Sequence, residues 1–210
     1  MKLNVGKCKV MHFGAKNSRA QYCIGDKFLG SSECERDLGV MVSCDLRWKT
    51  QVRSAIAKAN RMLGLLKRTF VSREVGLWTR LYCSLVRPHL EFAIQVWNPS
   101  AEGDIQLIES VQKRASRIPL SLRGLSYEER LSVMGITTLR ERRKRGDLVG
   151  IFKVVRCEEP INWVKSPEIK SSILSERRCG AIRGNSLRLV RESFPSKKKN
   201  DFANFDYPKA

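Results

Sequence analysis

The chain has 210 residues, of which 42% are hydrophobic, and its 40 lysines and arginines against 21 aspartates and glutamates give a formal net charge of +19. The hydrophobic content supports a folded protein, and the charge predicts a polyanionic partner, for which nucleic acid is the leading candidate. The alternative is that the positive charge serves solubility alone. The sequence has no apolar secretory signal at residues 1–7 and no uncharged apolar run of 18 residues, so we expect an intracellular protein, nuclear or cytoplasmic, without a membrane partner.

Cysteine and histidine form no recognisable site in the sequence. Seven cysteines, an odd number, are scattered without a C-x-x-C pair, which predicts neither a zinc knuckle nor a disulfide framework and favours a reducing compartment. The two histidines, His12 and His89, have no serine or cysteine nucleophile recognisably paired with them. Nucleophilic catalysis is therefore not indicated.

Residues 1–45 are predicted to form a small β element. Short runs of β-branched, aromatic and sulfur-containing residues occur at 8–13, 21–24 and 38–42. Residues typical of turns separate these runs, namely Gly14, Gly25, Asp26 and Gly30.

Three carboxylates alternate within this element, at Glu33, Glu35 and Asp37. The alternation places them on one side of a strand, where they either hold a divalent metal, as a metal-dependent nuclease requires, or form a solvated strand face. The solvated face is favoured because Arg36 interrupts the group.

Residues 46–158 are predicted to be mainly helical, beginning with a helix for which Asp45 is the candidate cap. A second helix is expected from Arg73, and Pro88 either kinks it or opens a following segment that ends near residues 97–99. The predicted apolar stripes are Trp48, Val52, Ala55, Ala59, Met62 and Leu66 in the first helix, Leu77, Leu81 and Leu85 in the second, and Ile105, Ile108, Val111 and Ala115 in a third.

Two capping-box patterns predict two further helices. Ser126 is followed three residues later by Glu129, and Thr138 is followed by Glu141, so helices should begin near residues 127 and 139. The basic block at 140–145 is open to three interpretations: a phosphate contact, a nuclear-localisation signal or the solvated face of a helix. Residues 159–210 are rich in proline, glycine and lysine and are predicted to form a basic, poorly ordered tail.

Four segments, read together and in order, resemble the region after the catalytic aspartates of reverse transcriptases from non-LTR (LINE-type) retrotransposons. Residues 3–14 match an N-x-x-K-C-x-V-M motif, with Asn4, Lys7, Cys8, Val10 and Met11 in its places. The other matching segments are 35–40, which is similar to the D-L-G-V segment of the primer-grip hairpin, then 58–97 and 130–148. The resemblance covers nearly the whole chain, and its specificity comes from the joint match.

The resemblance implies an α+β chain: a palm remnant with a primer-grip-like hairpin at 1–45, then a helical thumb-like bundle that binds a template–primer hybrid of RNA and DNA. The implied primer-grip residues are Asp37, Leu38, Gly39 and Val40. The implied nucleic-acid contacts are Lys49, Arg53, Arg61, Lys67 and Arg68, with Arg142, Arg143, Lys144 and Arg145 as phosphate contacts if the basic block serves that purpose.

The parent enzymes polymerise with a Mg²⁺ centre whose aspartates lie upstream of the matched region. We therefore expect a truncated chain that binds without catalysing and holds no cofactor of its own. Lys7 either assists near the departing pyrophosphate or is an ordinary surface lysine. We also expect a thumb separated from its palm to leave Trp48, Trp78 and Tyr82 partly uncovered. The rival hypothesis is a host-recruited adaptor that binds nucleic acid or protein without enzyme activity.

Overall fold

The computed structural model describes residues 4–14 and 17–155, so the predicted tail at 159–210 lies outside the described residues. The chain divides at Lys144 into two units, and of the second only residues 145–155 are described. Short strands precede a set of helices, which confirms the α+β class. Among the described residues, no helix is both long enough and apolar enough to span a bilayer.

The strands form three separate two-stranded pairs. They are β1 (Lys9–Val10), β2 (Cys23–Ile24), β3 (Lys27–Phe28), β4 (Gly30–Ser31), β5 (Cys34–Asp37) and β6 (Val40–Ser43). Parallel β1 and β4 pair, as do antiparallel β2 with β3 and β5 with β6. Each predicted run contains a strand. However, Gly30 lies in β4 instead of a turn, and Leu38 lies in the turn before β6.

Helix α1 (Lys49–Thr69) buries a continuous apolar stripe. The stripe consists of Val52, Ala55, Ala59, Leu63 and Leu66, while Trp48 and Met62 pack at its edge. The prediction that Asp45 caps this helix is wrong. Its carboxylate accepts the Arg47 amide at 3.0 Å in the preceding turn, and the residue at the N-cap is Trp48, without a side-chain cap.

The second predicted helix is a continuous helical segment made of α2 (Val75–Leu81), a π-helical turn (Tyr82–Val86) and α3 (Arg87–Glu91). Its predicted stripe is off by one residue: Leu85 is 40% exposed, whereas the fully buried positions are Trp78, Tyr82, Val86 and Leu90. The wider π turn keeps residues four apart on one face, which suits this spacing. Because Trp78 and Tyr82 are each 1% exposed, the expectation that they would be partly uncovered is also wrong.

Three further helices follow, α4 (Glu102–Ala115), α5 (Tyr127–Met134) and α6 (Leu139–Val155). The expected α4 positions Ile108, Val111 and Ala115 are buried. Both capping boxes are confirmed. At α5 the Ser126 and Glu129 side chains each accept the other residue's amide, and at α6 the Thr138 hydroxyl and Glu141 carboxylate do so at 3.2 and 3.3 Å.

A buried polar network crosses the core between the π-helical turn, α4, α5 and the start of α6. The Tyr82 hydroxyl donates to Gln112 at 2.7 Å, and Gln112 donates to the Tyr127 hydroxyl at 3.0 Å. Tyr127 in turn donates to the Glu109 carboxylate, which accepts the Leu139 amide at 3.1 Å. Burial raises the pKa of both phenols well above the usual range. The network therefore fixes the orientation of α4 and of the first turn of α6 relative to the rest of the core.

Candidate nucleic-acid interface

The exposed side of α1 carries a line of cations opposite its buried stripe. With about 100° of rotation per residue, five side chains fall within an arc of about 120° whose centre faces away from the buried residues. We call these five the α1 arc: Lys49, Arg53, Arg61, Lys67 and Arg68. All five are exposed. The arc extends about 28 Å along the helix axis, at about 1.5 Å per residue.

The α1 arc keeps its full positive charge, because α1 contains no aspartate or glutamate. Within the described part of the chain, none of the five cations forms an ion pair. Small residues, Ala57 and Gly64, lie between them on the same face. A polyanion can therefore approach the helix closely along its whole length.

The basic block at 140–145 is arranged differently. Arg143 is 3% exposed; its guanidinium donates to the Leu90 carbonyl at 2.6 Å and lies 4.4 Å from the centre of the Trp97 ring. Arg142 donates to the Glu91 carboxylate through both nitrogens of one guanidinium edge, Nε and Nη2, and this hydrogen bonding raises the Arg142 pKa. Arg140 pairs with Glu102 at 3.2 Å.

Three of these arginines therefore hold elements of the fold together, and we remove Arg142 and Arg143 from the candidate contacts. Glu91 neutralises Arg142, and the Trp97 ring covers Arg143. Both partners are distant in sequence, so the local pattern does not reveal them. Lys144 and Arg145 are exposed, as a phosphate contact requires.

The primer-grip-like residues form the turn of the β5–β6 hairpin. Asp37 pairs with Val40, and the two residues between them both have positive φ, +43° at Leu38 and +92° at Gly39, as a type I′ turn requires. Val40 is buried, whereas Leu38 is 90% exposed. At Gly39 a β-carbon would lie 3.3 Å from the Phe92 ring, so this turn packs closely on the end of α3.

Leu38 is an unusual residue for such a turn, because a branched side chain at positive φ is strained and asparagine, aspartate or glycine normally takes this place. The hairpin thus presents a strained apolar side chain to solvent. Strain of this kind is often retained at functional positions.

The remaining candidates, Lys7 and the three alternating carboxylates, belong to the strand region that precedes α1. Lys7 is exposed at the end of a short helical turn, Val5–Lys7. Glu35 bonds Lys9 at 2.6 Å, and this contact lowers the Glu35 pKa. Glu33, Glu35 and Asp37 do not come together as a cluster of three metal-ligating side chains, and residues 4–14 and 17–155 contain no such cluster.

One contact near the α1 arc escaped the sequence-based interpretation. Arg114, in the last turn of α4, donates to the Asn60 side chain on α1 at 2.8 Å. The two residues are 54 positions apart, so no local pattern joins them. The one available signal was that Asn60 falls within the arc of cations on a helical projection.

Comparison with known proteins leaves the family open. No family model and no solved structure matches the chain. The chain is similar to an uncharacterized protein of Caenorhabditis elegans, with 28% identity over 114 residues, covering 51% of this chain and 56% of that protein. It thus spans little more than half the length of this relative.

Proposed function

We propose that this chain binds template–primer nucleic acid, as the palm-end, primer-grip and thumb region of an RNA-directed DNA polymerase of the non-LTR retrotransposon type. The observation that carries the proposal is the α1 arc, five exposed cations in line on an acid-free helix. Its partners are RNA and DNA, and its compartment is the nucleus or the cytoplasm. The proposal assigns binding, not catalysis, to this chain.

The arc suits the phosphate backbone of a duplex. Phosphate contacts hold a nucleic acid in register without reading its sequence, so binding should be steeply salt-dependent and nearly independent of sequence. If the five cations neutralise about five phosphates, the slope of log K against log salt should be of the order of −3 to −5. A thumb tracks an RNA–DNA hybrid, whose A-like minor groove is broad and presents sugar hydroxyls, so the hybrid should be preferred over B-form DNA.

The decisive experiment compares the affinity for an RNA–DNA hybrid and for B-form DNA of equal length at one salt concentration. The hybrid should bind more tightly, and the triple variant Lys49→Ala, Arg53→Ala, Arg61→Ala should abolish the preference. A matched control removes three exposed cations outside the arc and outside the β5–β6 hairpin, Lys27, Arg80 and Arg123. Equal affinities for the two duplexes, or equal losses in the two triple variants, would refute the thumb assignment.

The hairpin turn provides a second test of the same proposal. Leu38→Asn removes the exposed apolar side chain and suits positive φ, so it should stabilise the hairpin by about 0.5–1 kcal/mol. If the turn grips the primer strand, the same variant should bind a duplex with a recessed primer end more weakly. Its affinity for a duplex without a recessed end should be unchanged. A stabilised variant with unaltered binding to both ligands would remove the primer-grip role.

A host-recruited adaptor is the second candidate, and burial of Trp78 and Tyr82 favours it. A thumb that depends on a palm should have apolar surface left open, yet these two side chains lie inside the core of the helices. An adaptor that uses charge alone should bind both duplexes equally. The hybrid comparison therefore separates the two candidates.

A further inference from the structure

Arg114 lies next to the α1 arc although it belongs to another helix. Its Nη2 donates to Asn60 Oδ1 at 2.8 Å. On α1, Arg53, Asn60 and Lys67 follow one another seven residues apart, so they lie almost in line along one face. The Arg114 guanidinium is therefore held beside the middle of the arc, at the point where that line lacks a cation.

Arg114 differs from the arc residues in being held in place. The five arc cations have no side-chain partner among the described residues, so each loses rotamer freedom when it meets a phosphate. Arg114 has already lost much of that freedom through Asn60. Its Nε and Nη1 have no partner in the described part of the chain. Nη2 carries two hydrogens and Asn60 takes one of them, so one edge of the guanidinium keeps two N–H donors, which match two oxygens of one phosphate.

We propose that Arg114, positioned by Asn60, is a phosphodiester-binding site that extends the interface from α1 onto α4. This inference rests on the proposed function, because it assumes that the α1 arc binds a nucleic-acid backbone. It adds a residue from outside the resemblance-based set and predicts that this residue contributes more affinity than any single arc cation. Asn60 acts as a positioning residue that does not itself need to contact the ligand.

The chain offers a close control for Arg114. Arg117 lies three residues further along, is equally cationic and exposed, and has no side-chain partner among residues 4–14 and 17–155. Replacing either residue with alanine removes one positive charge from the same part of the molecule. Any difference between the two variants therefore reports on the Asn60 contact and not on net charge.

The experiment measures affinity for an RNA–DNA hybrid in the full chain and in four variants: Arg114→Ala, Asn60→Ala, the double variant and Arg117→Ala. Arg114→Ala should weaken binding about tenfold and lower the salt slope by about 0.9, whereas Arg117→Ala should cost about twofold. Asn60→Ala should also weaken binding several-fold, although it leaves net charge unchanged and alanine favours the helix. The double variant should lose no more than Arg114→Ala alone.

Equal losses for Arg114→Ala and Arg117→Ala would overturn the inference, because charge alone would then explain both. An Asn60→Ala variant that binds like the unaltered chain would overturn the positioning role. Free phosphate is the alternative ligand for the same site, and millimolar inorganic phosphate tests it as a competitor. If inorganic phosphate abolishes the affinity difference between the unaltered chain and Arg114→Ala, the site binds free phosphate and not a nucleic-acid backbone. The α1 triple variant distinguishes failure of this inference from failure of the proposed function. If the triple variant binds the hybrid as tightly as the unaltered chain, the proposed function itself is refuted.

Discussion

The α1 arc and the basic block at 140–145 have similar composition but opposite structural roles. The arc presents five cations on an acid-free helix, while three of the block's arginines are engaged by Glu91, Glu102 and Trp97. All three of these partners lie on elements distant in sequence. The comparison teaches that a cluster of cations stays exposed and unpaired, and so open to a polyanion, only where the fold brings neither an acid nor an aromatic ring against it.

The strongest test of this contrast is Arg143→Ala. The substitution removes a buried guanidinium from the Leu90 carbonyl and the Trp97 ring, and leaves polar groups without their partner in the core. We expect the free energy of unfolding to fall by about 3 kcal/mol, measured by urea denaturation. Lys144→Ala, at the exposed neighbouring position, should change it by less than about 0.5 kcal/mol. Equal stability of the two variants would show that Arg143 is not an anchor.

The reverse outcome is expected for the arc. The triple variant Lys49→Ala, Arg53→Ala, Arg61→Ala should bind an RNA–DNA hybrid about 10- to 150-fold more weakly at low salt, at roughly 0.5–1 kcal/mol per phosphate contact. Its melting temperature should stay the same or rise, because all three positions are exposed and alanine is the best helix former. A variant that binds normally, or one that unfolds, would break the contrast between the two regions.

What the sequence predicts well is local. The capping boxes at Ser126 and Thr138 involve residues three apart, and both helix starts were located correctly. The apolar stripe of α1 was also predictable, since it repeats at regular α-helical spacing. Both successes depend on backbone geometry that neighbouring residues determine by themselves.

What failed depends on tertiary contacts. The buried face of the second helix begins at Trp78, one residue after Leu77, and the π turn at Tyr82–Val86 continues it at a spacing of four residues to Leu90, so the leucine stripe is off by one residue. Arg143 resembles its exposed neighbours in sequence, and its burial depends on contacts with Leu90 and Trp97, 53 and 46 residues earlier. The Arg114–Asn60 contact was missed for the same reason.

Arg142 is expected to show an intermediate effect. Its guanidinium and the Glu91 carboxylate are half-buried and bonded through two pairs of atoms, so Arg142→Ala should lower the free energy of unfolding by about 1 kcal/mol. Affinity for the hybrid should change by less than about twofold, because Glu91 already neutralises this charge. A loss of affinity as large as that of an arc residue would return Arg142 to the interface.

The smallest effect concerns Arg140, which forms an exposed ion pair with Glu102. Here the acid is replaced instead of the cation. An exposed ion pair contributes little, so Glu102→Gln should change the free energy of unfolding by less than about 1 kcal/mol. The substitution nevertheless releases a cation that an acid had neutralised. If pairing with acids is what separates the two regions, affinity for the hybrid at low salt should rise by about 1.5- to 2-fold. Glu128→Gln, which removes the same charge from an exposed position on α5, is the control for net charge. Equal gains in the two variants would mean that net charge alone sets the affinity, and that local pairing does not distinguish the block from the arc.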